Sequence, residues 1–283
     1  MLEQSQVDRI IQAALDEDAP WGDVTSQALV PADRVAMAVL NTREDGVFAG
    51  ELVFRRTFEL CGVTDVEVAA DGSRFFAGEV IGKAHGNARA ILRAERIALN
   101  LVQRMSGIAT LTAQFVEAVA GTKAHIVDTR KTTPGLRVLE RHAVRSGGGF
   151  NHRFSLSDAI LAKDNHLALL PSDSAGLTAA LREARERVGH TVHFEVEVDR
   201  IDQIETVIAA GVDTIMLDNF SIDELHEGVK LVGGRAKVEA SGGVNLSTVR
   251  AIAETGVDLI SVGALTHSAR ALDLGLDINI LGK

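Results

Sequence analysis

A chain of 283 residues with 46% apolar and 24% charged residues is long enough to bury one or two sizeable cores. Its formal charge of −10 argues against general nucleic-acid binding, and no apolar run reaches the ~18 residues that a membrane helix needs. The opening residues show no cationic-then-apolar leader and Cys61 has no second cysteine to bridge, so a reducing, cytoplasmic setting is expected.

Val7, Ile10, Ile11, Ala14 and Leu15 recur at helical spacing and predict a helix over residues 4–18. Residues 22–25 read as a connection. Alternation of Val35, Met37 and Val39 predicts a strand over 33–44, closed by the turn pair Asp45-Gly46. A second amphipathic helix is expected over 51–61, ended by Gly62, with Cys61 packed on its apolar face. Short strands follow over 66–70 and 79–84. Residues 88–102 are rich in Ala, Leu and Arg and read as a strong helix, with Arg93 and Arg96 on one face. Ser106-Gly107 breaks the pattern, which resumes over 111–120. This mixture without a parallel-sheet rhythm predicts a separate α+β sandwich domain over residues 1–105.

From residue 125 the rhythm changes. Strands are expected over 125–128, 158–163, 192–198, 214–217, 237–240 and 259–262. Between them fall helices over 135–146, 177–188, 202–210, 222–231 and 246–255, one of them started by a Ser221/Glu224 capping box. Pro134-Gly135 is placed at the start of its helix. The segment Ala210-Gly-Val-Asp-Thr-Ile-Met-Leu-Asp218 recurs as Thr255-Gly-Val-Asp-Leu-Ile-Ser-Val-Gly263, a repeat spanning two βα units. Alternating strands and helices imply a parallel sheet, and a closed or nearly closed α/β barrel fits better than a doubly wound sheet; no Gly-x-Gly-x-x-Gly fingerprint follows a strand.

The most cationic stretch runs from Asp128 to His166, where seven Lys/Arg face four Asp/Glu in an acidic protein. Like charges repel, so this segment is either a solvated basic face or a site for a polyanion that supplies the countercharge. The polar residues of this half fall at strand C-terminal ends: Arg130 and Lys131, Lys163, Glu197, Asp218, Ser241 with Gly242-Gly243, and Gly263. In α/β barrels that rim builds the active site. Ser241-Gly242-Gly243 and the loop Val262-Gly263-Ala264 are either turns or a phosphate cradle of backbone N–H groups. Glu197 and Asp218 end neighbouring strands, and could hold Mg²⁺ on a diphosphate or form a salt-bridge network with Lys131 and Lys163.

Ala94-Glu-Arg-Ile-Ala-Leu-Asn100, Ser106-Gly-Ile-Ala-Thr110, Asp128-Thr-Arg-Lys-Thr-Thr-Pro-Gly-Leu-Arg137, Gly147-Gly-Gly-Phe-Asn-His-Arg153, Lys163-Asp-Asn-His166, Glu195-Val-Glu-Val198, Ile215-Met-Leu-Asp-Asn219, Ser241-Gly-Gly243 and Ser261-Val-Gly-Ala-Leu-Thr-His267 occur in this order. Together they resemble the quinolinate phosphoribosyltransferase family over nearly the whole chain. The resemblance implies an N-terminal α/β sandwich and an open seven-stranded α/β barrel over 106–267, with the tail 268–283 returning to the first domain. It implies phosphoribosyl transfer from phosphoribosyl pyrophosphate to quinolinate with decarboxylation, giving nicotinate mononucleotide in NAD synthesis. It also implies a homodimer in which Arg96 reaches the neighbour's site. By the same resemblance, Arg130, His152, Arg153 and Lys163 would hold the quinolinate carboxylates, with Thr129 in the same loop. Lys131 would lie toward the diphosphate, Glu197 and Asp218 would face the ribose and Mg²⁺-diphosphate, and the two glycine loops would take the ribose 5-phosphate.

Two other readings exist. A Schiff-base barrel aldolase would use Lys163 or Lys131 but leaves Arg130 and Arg153 unexplained. A noncatalytic binding protein, like a paralogous family associated with molybdenum uptake, would not need the full set of charged residues.

Overall fold

The computed structural model describes residues 2–280. The chain divides into two compact units: one comprises the chain up to Ala113, Thr132–Gly148 and the chain from Leu265 on, and the other comprises Gln114–Lys131 and Gly149–Ala264.

The first unit contains strands β1 (Val35–Thr42), β2 (Gly46–Val47), β3 (Asp65–Val68), β4 (Arg74–Phe75) and β5 (Val80–Asn87). An antiparallel sheet runs in the order C-terminal strand (Leu274–Ile280), β1, β5, β3, so the tail returns to this unit. Alternation decides which face of β1 is inside: Ala36, Ala38, Leu40 and Thr42 are buried in turn. Against that face pack Phe54 and Phe58 of the helix Glu51–Leu60 and Ile91, Ala94, Ala98 and Val102 of the helix Ala88–Ala118. Cys61 caps the shorter helix in a half-buried position, and burial pushes its thiol pKa up, consistent with a packing role.

Several elements differ from the expectation. The helix Ala88–Ala118 is continuous through Ser106-Gly107. Small residues there serve close approach rather than a break: the Ser106 hydroxyl accepts from the Ala49 amide at 3.1 Å, and a Cβ at Gly107 would stand 1.9 Å from the Arg270 carbonyl oxygen. Gly107→Ala is therefore expected to lower the thermal midpoint, because a clash of about 1–3 kcal/mol outweighs the ~1 kcal/mol that Ala gains over Gly in a helix. An unchanged midpoint in a thermal melt would refute the contact. Residues 24–29 form a short helix rather than a connection, with Asp23 accepting from the Ser26 amide at 3.0 Å; six residues are too few to show a period. The helix expected from Gly135 starts at Arg137, after a turn through Pro134 and Gly135 in which Leu136 N–H bonds the Thr133 carbonyl. Residues 132–148 group with the first unit although in sequence they lie between two strands of the parallel sheet, His125–Val127 and Ala159–Ala162. Glu140 is the reason: buried, it accepts from Arg104 Nε at 2.7 Å and from the Thr133 amide at 3.1 Å.

The second unit carries β6 (His125–Val127), β7 (Ala159–Ala162), β8 (His193–Val198), β9 (Thr214–Asp218), β10 (Lys237–Ser241) and β11 (Leu259–Ser261). All pair in parallel in the order β6-β11-β10-β9-β8-β7. An isolated parallel bridge from Phe150 to Val127 continues the ladder beyond β6, so the expected seventh strand is reduced to one residue. The repeated segments feed β9 and β11, as expected. The Ser221/Glu224 capping box is present at the helix Ile222–Val232. The helix after β10 is confined to Val249–Glu254, because Asn245 folds the preceding loop by accepting from the Ser247 amide at 3.0 Å.

Candidate active site

In a strand, residues two apart share a face. Leu161 and Lys163, and Met216 and Asp218, follow that rule, and they line one cavity of about 390 Å³ with Glu197 and with Ser241 and Ser261, which end β10 and β11. Residues from both ends of the strand order meet there: Thr129, Arg130 and Lys131 after β6, Leu161 of β7 and Lys163 just after it. A flat sheet would hold these ends far apart, so the sheet must curl for them to share one wall.

The loop that delivers His152 and Arg153 is anchored by a buried acid. Asp128 is fully buried and accepts from Asn151 Nδ2 at 2.6 Å and from the His152 amide at 2.7 Å. Phe150 N–H adds a bond to the Ile126 carbonyl at 2.8 Å. Arg153 donates through Nη1 to the Ala159 carbonyl at 3.0 Å. Burial, followed by the nearby Arg130 charge, lowers the Arg153 pKa. Two guanidiniums brought together in a half-buried wall repel one another, and an anion between them removes that repulsion.

Across the cavity Lys163 forms an ion pair with Glu197. Asp218 stands on the adjoining strand, in register with Ser241, and accepts from Asn219 Nδ2 at 2.6 Å. The salt-bridge reading therefore holds for Lys163 with Glu197. Thr129 Oγ1 accepts from the Lys131 amide at 3.1 Å, and Lys131 is exposed at the rim. No other His, Cys, Asp or Glu joins Glu197 and Asp218 in a three-residue cluster among the described residues. Such a pair fits an ion that takes its remaining oxygens from phosphate and water.

Not every expected residue lines this cavity. Ser241 does, but Gly242, Gly243, Val262, Gly263 and Ala264 sit beside it at the ends of β10 and β11. Gly242 has φ +90°, and a Cβ there would meet Asn219 Oδ1 at 2.1 Å, so its immediate need is space for the loop after β9. Val262 is buried and bonds through its N–H to the Val127 carbonyl at 3.0 Å. Arg96 is exposed on the helix Ala88–Ala118 and does not line the cavity. A second cavity of about 440 Å³, beside Asp164, Asp199 and Asp202, shares Glu197 but has none of the cations Arg130, Arg153 and Lys163.

Beneath the site are two acids that the sequence reading leaves without a role. Glu195 and Glu239 are buried, and each has a ligating oxygen within 4.8 Å of the other and of a His152 ring nitrogen. His152 Nε2 lies 3.0 Å from Glu195 and 3.6 Å from Glu239. Burial, reinforced by the Glu195 charge, pushes the Glu239 carboxyl pKa up to about 8. For His152, burial disfavours charge, while the Glu195 hydrogen bond and the charges of Glu239, Glu195 and Asp128 outweigh it and raise the pKa. The signal in the sequence was the period of two: Glu195 precedes Glu197 and Glu239 precedes Ser241 on the same inward faces.

Residues 23–106 match the family model described as quinolinate phosphoribosyl transferase, N-terminal domain, and residues 108–277 match the one for its C-terminal domain. The chain belongs to the quinolinate phosphoribosyltransferase family. It is 42% identical over 277 residues to a probable nicotinate-nucleotide pyrophosphorylase (carboxylating) of Bacillus subtilis (strain 168), covering 97% of this chain and 94% of that one. It is 45% identical over 276 residues to the nicotinate-nucleotide pyrophosphorylase (carboxylating) of Mycobacterium leprae (strain TN), covering 95% of each. The solved structure of NadC from Streptococcus pyogenes matches with a TM-score of 0.93 at 39% identity, covering 100% of this chain and 99% of that one. Both units of this quinolinate phosphoribosyltransferase thus lie within the family's fold. No helix of the described residues is long and apolar enough to cross a membrane.

Proposed function

We propose that the 390 Å³ cavity takes quinolinate against Arg130, Arg153 and Lys163, and phosphoribosyl pyrophosphate toward Lys131, Glu197 and Asp218. The chain then transfers the phosphoribosyl group to the pyridine nitrogen with loss of CO₂, giving nicotinate mononucleotide and diphosphate. One observation carries this reading: four cations (Arg130, Lys131, Arg153 and Lys163) and two carboxylates from several strand ends converge on one cavity of substrate size.

The chemistry accounts for the residue types. Quinolinate is a dianion and its cosubstrate a polyanion, so fixed cations must offset their repulsion. Arg130 and Arg153 suit the planar carboxylates, to which a guanidinium can donate in pairs. As the bond from ribose C1 to diphosphate breaks, its electron pair leaves with diphosphate and positive charge develops on the ribose. Glu197 and Asp218 favour that charge, and Lys131 favours the departing anion. Glu197 and Asp218 would also hold Mg²⁺, which supplies positive charge to the diphosphate. The pyridine nitrogen forms the new bond to C1 and becomes cationic. The adjacent carboxylate then leaves as CO₂, its electrons held beside the ring cation until a solvent proton replaces it. No covalent enzyme intermediate is needed, which distinguishes this reading from Schiff-base chemistry at Lys163.

The backbone N–H groups of Gly242, Gly243, Val262, Gly263 and Ala264 are assigned to the ribose 5-phosphate. His152 belongs to the quinolinate wall, and Thr129 orders the loop beneath Lys131. Arg96 is assigned to the partner's site in a homodimer, which its exposure permits. The lone cysteine supports a cytoplasmic setting. The assay mixes purified protein with quinolinate, phosphoribosyl pyrophosphate and Mg²⁺. Nicotinate mononucleotide, CO₂ and diphosphate should appear in equal amounts, and formation of none of them sinks the reading.

A further inference from the structure

The acids below the site have a use that the transfer chemistry does not assign. His152 Nδ1 accepts the Arg153 backbone N–H at 2.7 Å. A proton on Nδ1 would set two N–H groups head to head at that distance, so this contact overrides the pull of the surrounding carboxylates toward an imidazolium. The ring proton therefore sits on Nε2 and is donated to Glu195 at 3.0 Å. The same contact argues against a metal held by His152, Glu195 and Glu239. A metal on Nε2 requires the other nitrogen to donate a proton, whereas here it accepts one.

The carboxylates remain to be accounted for. Glu195 Oε1 and Glu239 Oε1 are both buried with no hydrogen-bond donor from the protein. Two such oxygens in an apolar interior are costly unless a proton lies between the two groups. Glu239 and Glu195 each have an oxygen within 4.8 Å of the other, and the Ser261 hydroxyl oxygen is also buried with no hydrogen-bond partner. A neutral Glu239 carboxyl would donate to Glu195 and accept from the Ser261 hydroxyl, and both carboxylates would then be used.

We infer that Glu239 and Glu195 are positioning residues for the quinolinate wall. Glu239 as a neutral acid donates to Glu195, Glu195 accepts from His152 Nε2–H, and His152 Nδ1 holds the Arg153 backbone N–H. This chain of hydrogen bonds runs from the sheet interior to a substrate cation. Neither acid touches substrate. Both act by fixing the ring tautomer and, through it, the place of Arg153. The inference rests on the assignment of Arg153 to quinolinate.

The test is steady-state kinetics on the full chain with both substrates varied, together with thermal melting. Glu239→Ala and Glu239→Asp remove or shorten the donor. Each should raise the KM for quinolinate about tenfold, with the KM for phosphoribosyl pyrophosphate nearly unchanged. Glu239→Gln keeps a donor and an acceptor and carries no charge, so it should bring the quinolinate KM back to within about threefold of wild type. A role confined to stability would move the melting temperature but neither KM. The inference is overturned if Glu239→Gln is as impaired as Glu239→Asp, because Glu239 is then needed as an anion. It is also overturned if Glu239→Asp keeps the wild-type quinolinate KM, or if purified protein holds a stoichiometric metal that Glu239→Gln loses. Arg153→Lys separates the two levels. If it leaves the quinolinate KM unchanged, the assignment of the cavity fails. If it raises that KM and Glu239→Asp does not, only the positioning chain fails.

Discussion

Arg130→Ala is expected to lower kcat/KM for quinolinate by about a thousandfold, equivalent to about 4 kcal/mol of lost transition-state stabilisation. The guanidinium stands at the end of β6 in the half-buried wall it shares with Arg153. When a carboxylate loses one of two such partners it stays desolvated and only half compensated, which is why the loss exceeds that of an exposed ion pair. A small offset arises because Arg153 is freed from its like-charged neighbour. The loss should fall mainly on quinolinate, with the KM for phosphoribosyl pyrophosphate less affected. Arg130→Lys should recover only part, because an ammonium is a point charge and cannot donate in a planar pair. Activity within about threefold of wild type for Arg130→Ala would remove Arg130 from the substrate wall.

The second large effect concerns assembly. Arg96→Ala and Lys163→Ala should each be nearly inactive as pure proteins. Lys163→Ala loses the partner of Glu197, whose side chain is 13% exposed, and leaves that carboxylate uncompensated beside the cavity. Mixed in equal amounts and allowed to exchange subunits, the two should regain about a quarter of wild-type activity, since half of randomly formed dimers are mixed and each has one intact site of two. Differently tagged subunits report whether exchange has occurred. Exchange without any recovery would show that Arg96 does not serve the partner's site.

Much of this site was legible because chemistry at a parallel sheet is forced to strand ends. Lys163 and Asp218 each directly follow an apolar run, and that break marks the rim; Glu197 is visible instead by its place one residue before the end of the alternating segment His193–Val198. Arg130 and Arg153 are visible as cations in an acidic chain, but nothing in their spacing shows that they share a wall. The Asp128 bonds to Asn151 and His152 do that, across more than twenty residues of sequence. Glu195 and Glu239 were hidden for a different reason. They lie 44 residues apart, each looks like a polar residue one alternation before a rim residue, and only the parallel register shows that both sit beneath His152.

The sequence by itself determined the family, the order of strands and helices in the second half and the identity of the rim residues. Those depend on period, punctuation and residue chemistry, which are local. The tertiary structure alone decided that Ser106-Gly107 runs through a continuous helix, since the reason is a carbonyl from Arg270, 163 residues away. It also decided that residues 132–148 belong with the first unit, through the buried Glu140. The same holds for the proton inferred between Glu195 and Glu239. Burial and proximity create the need for it, and both exist only once the sheet has curled.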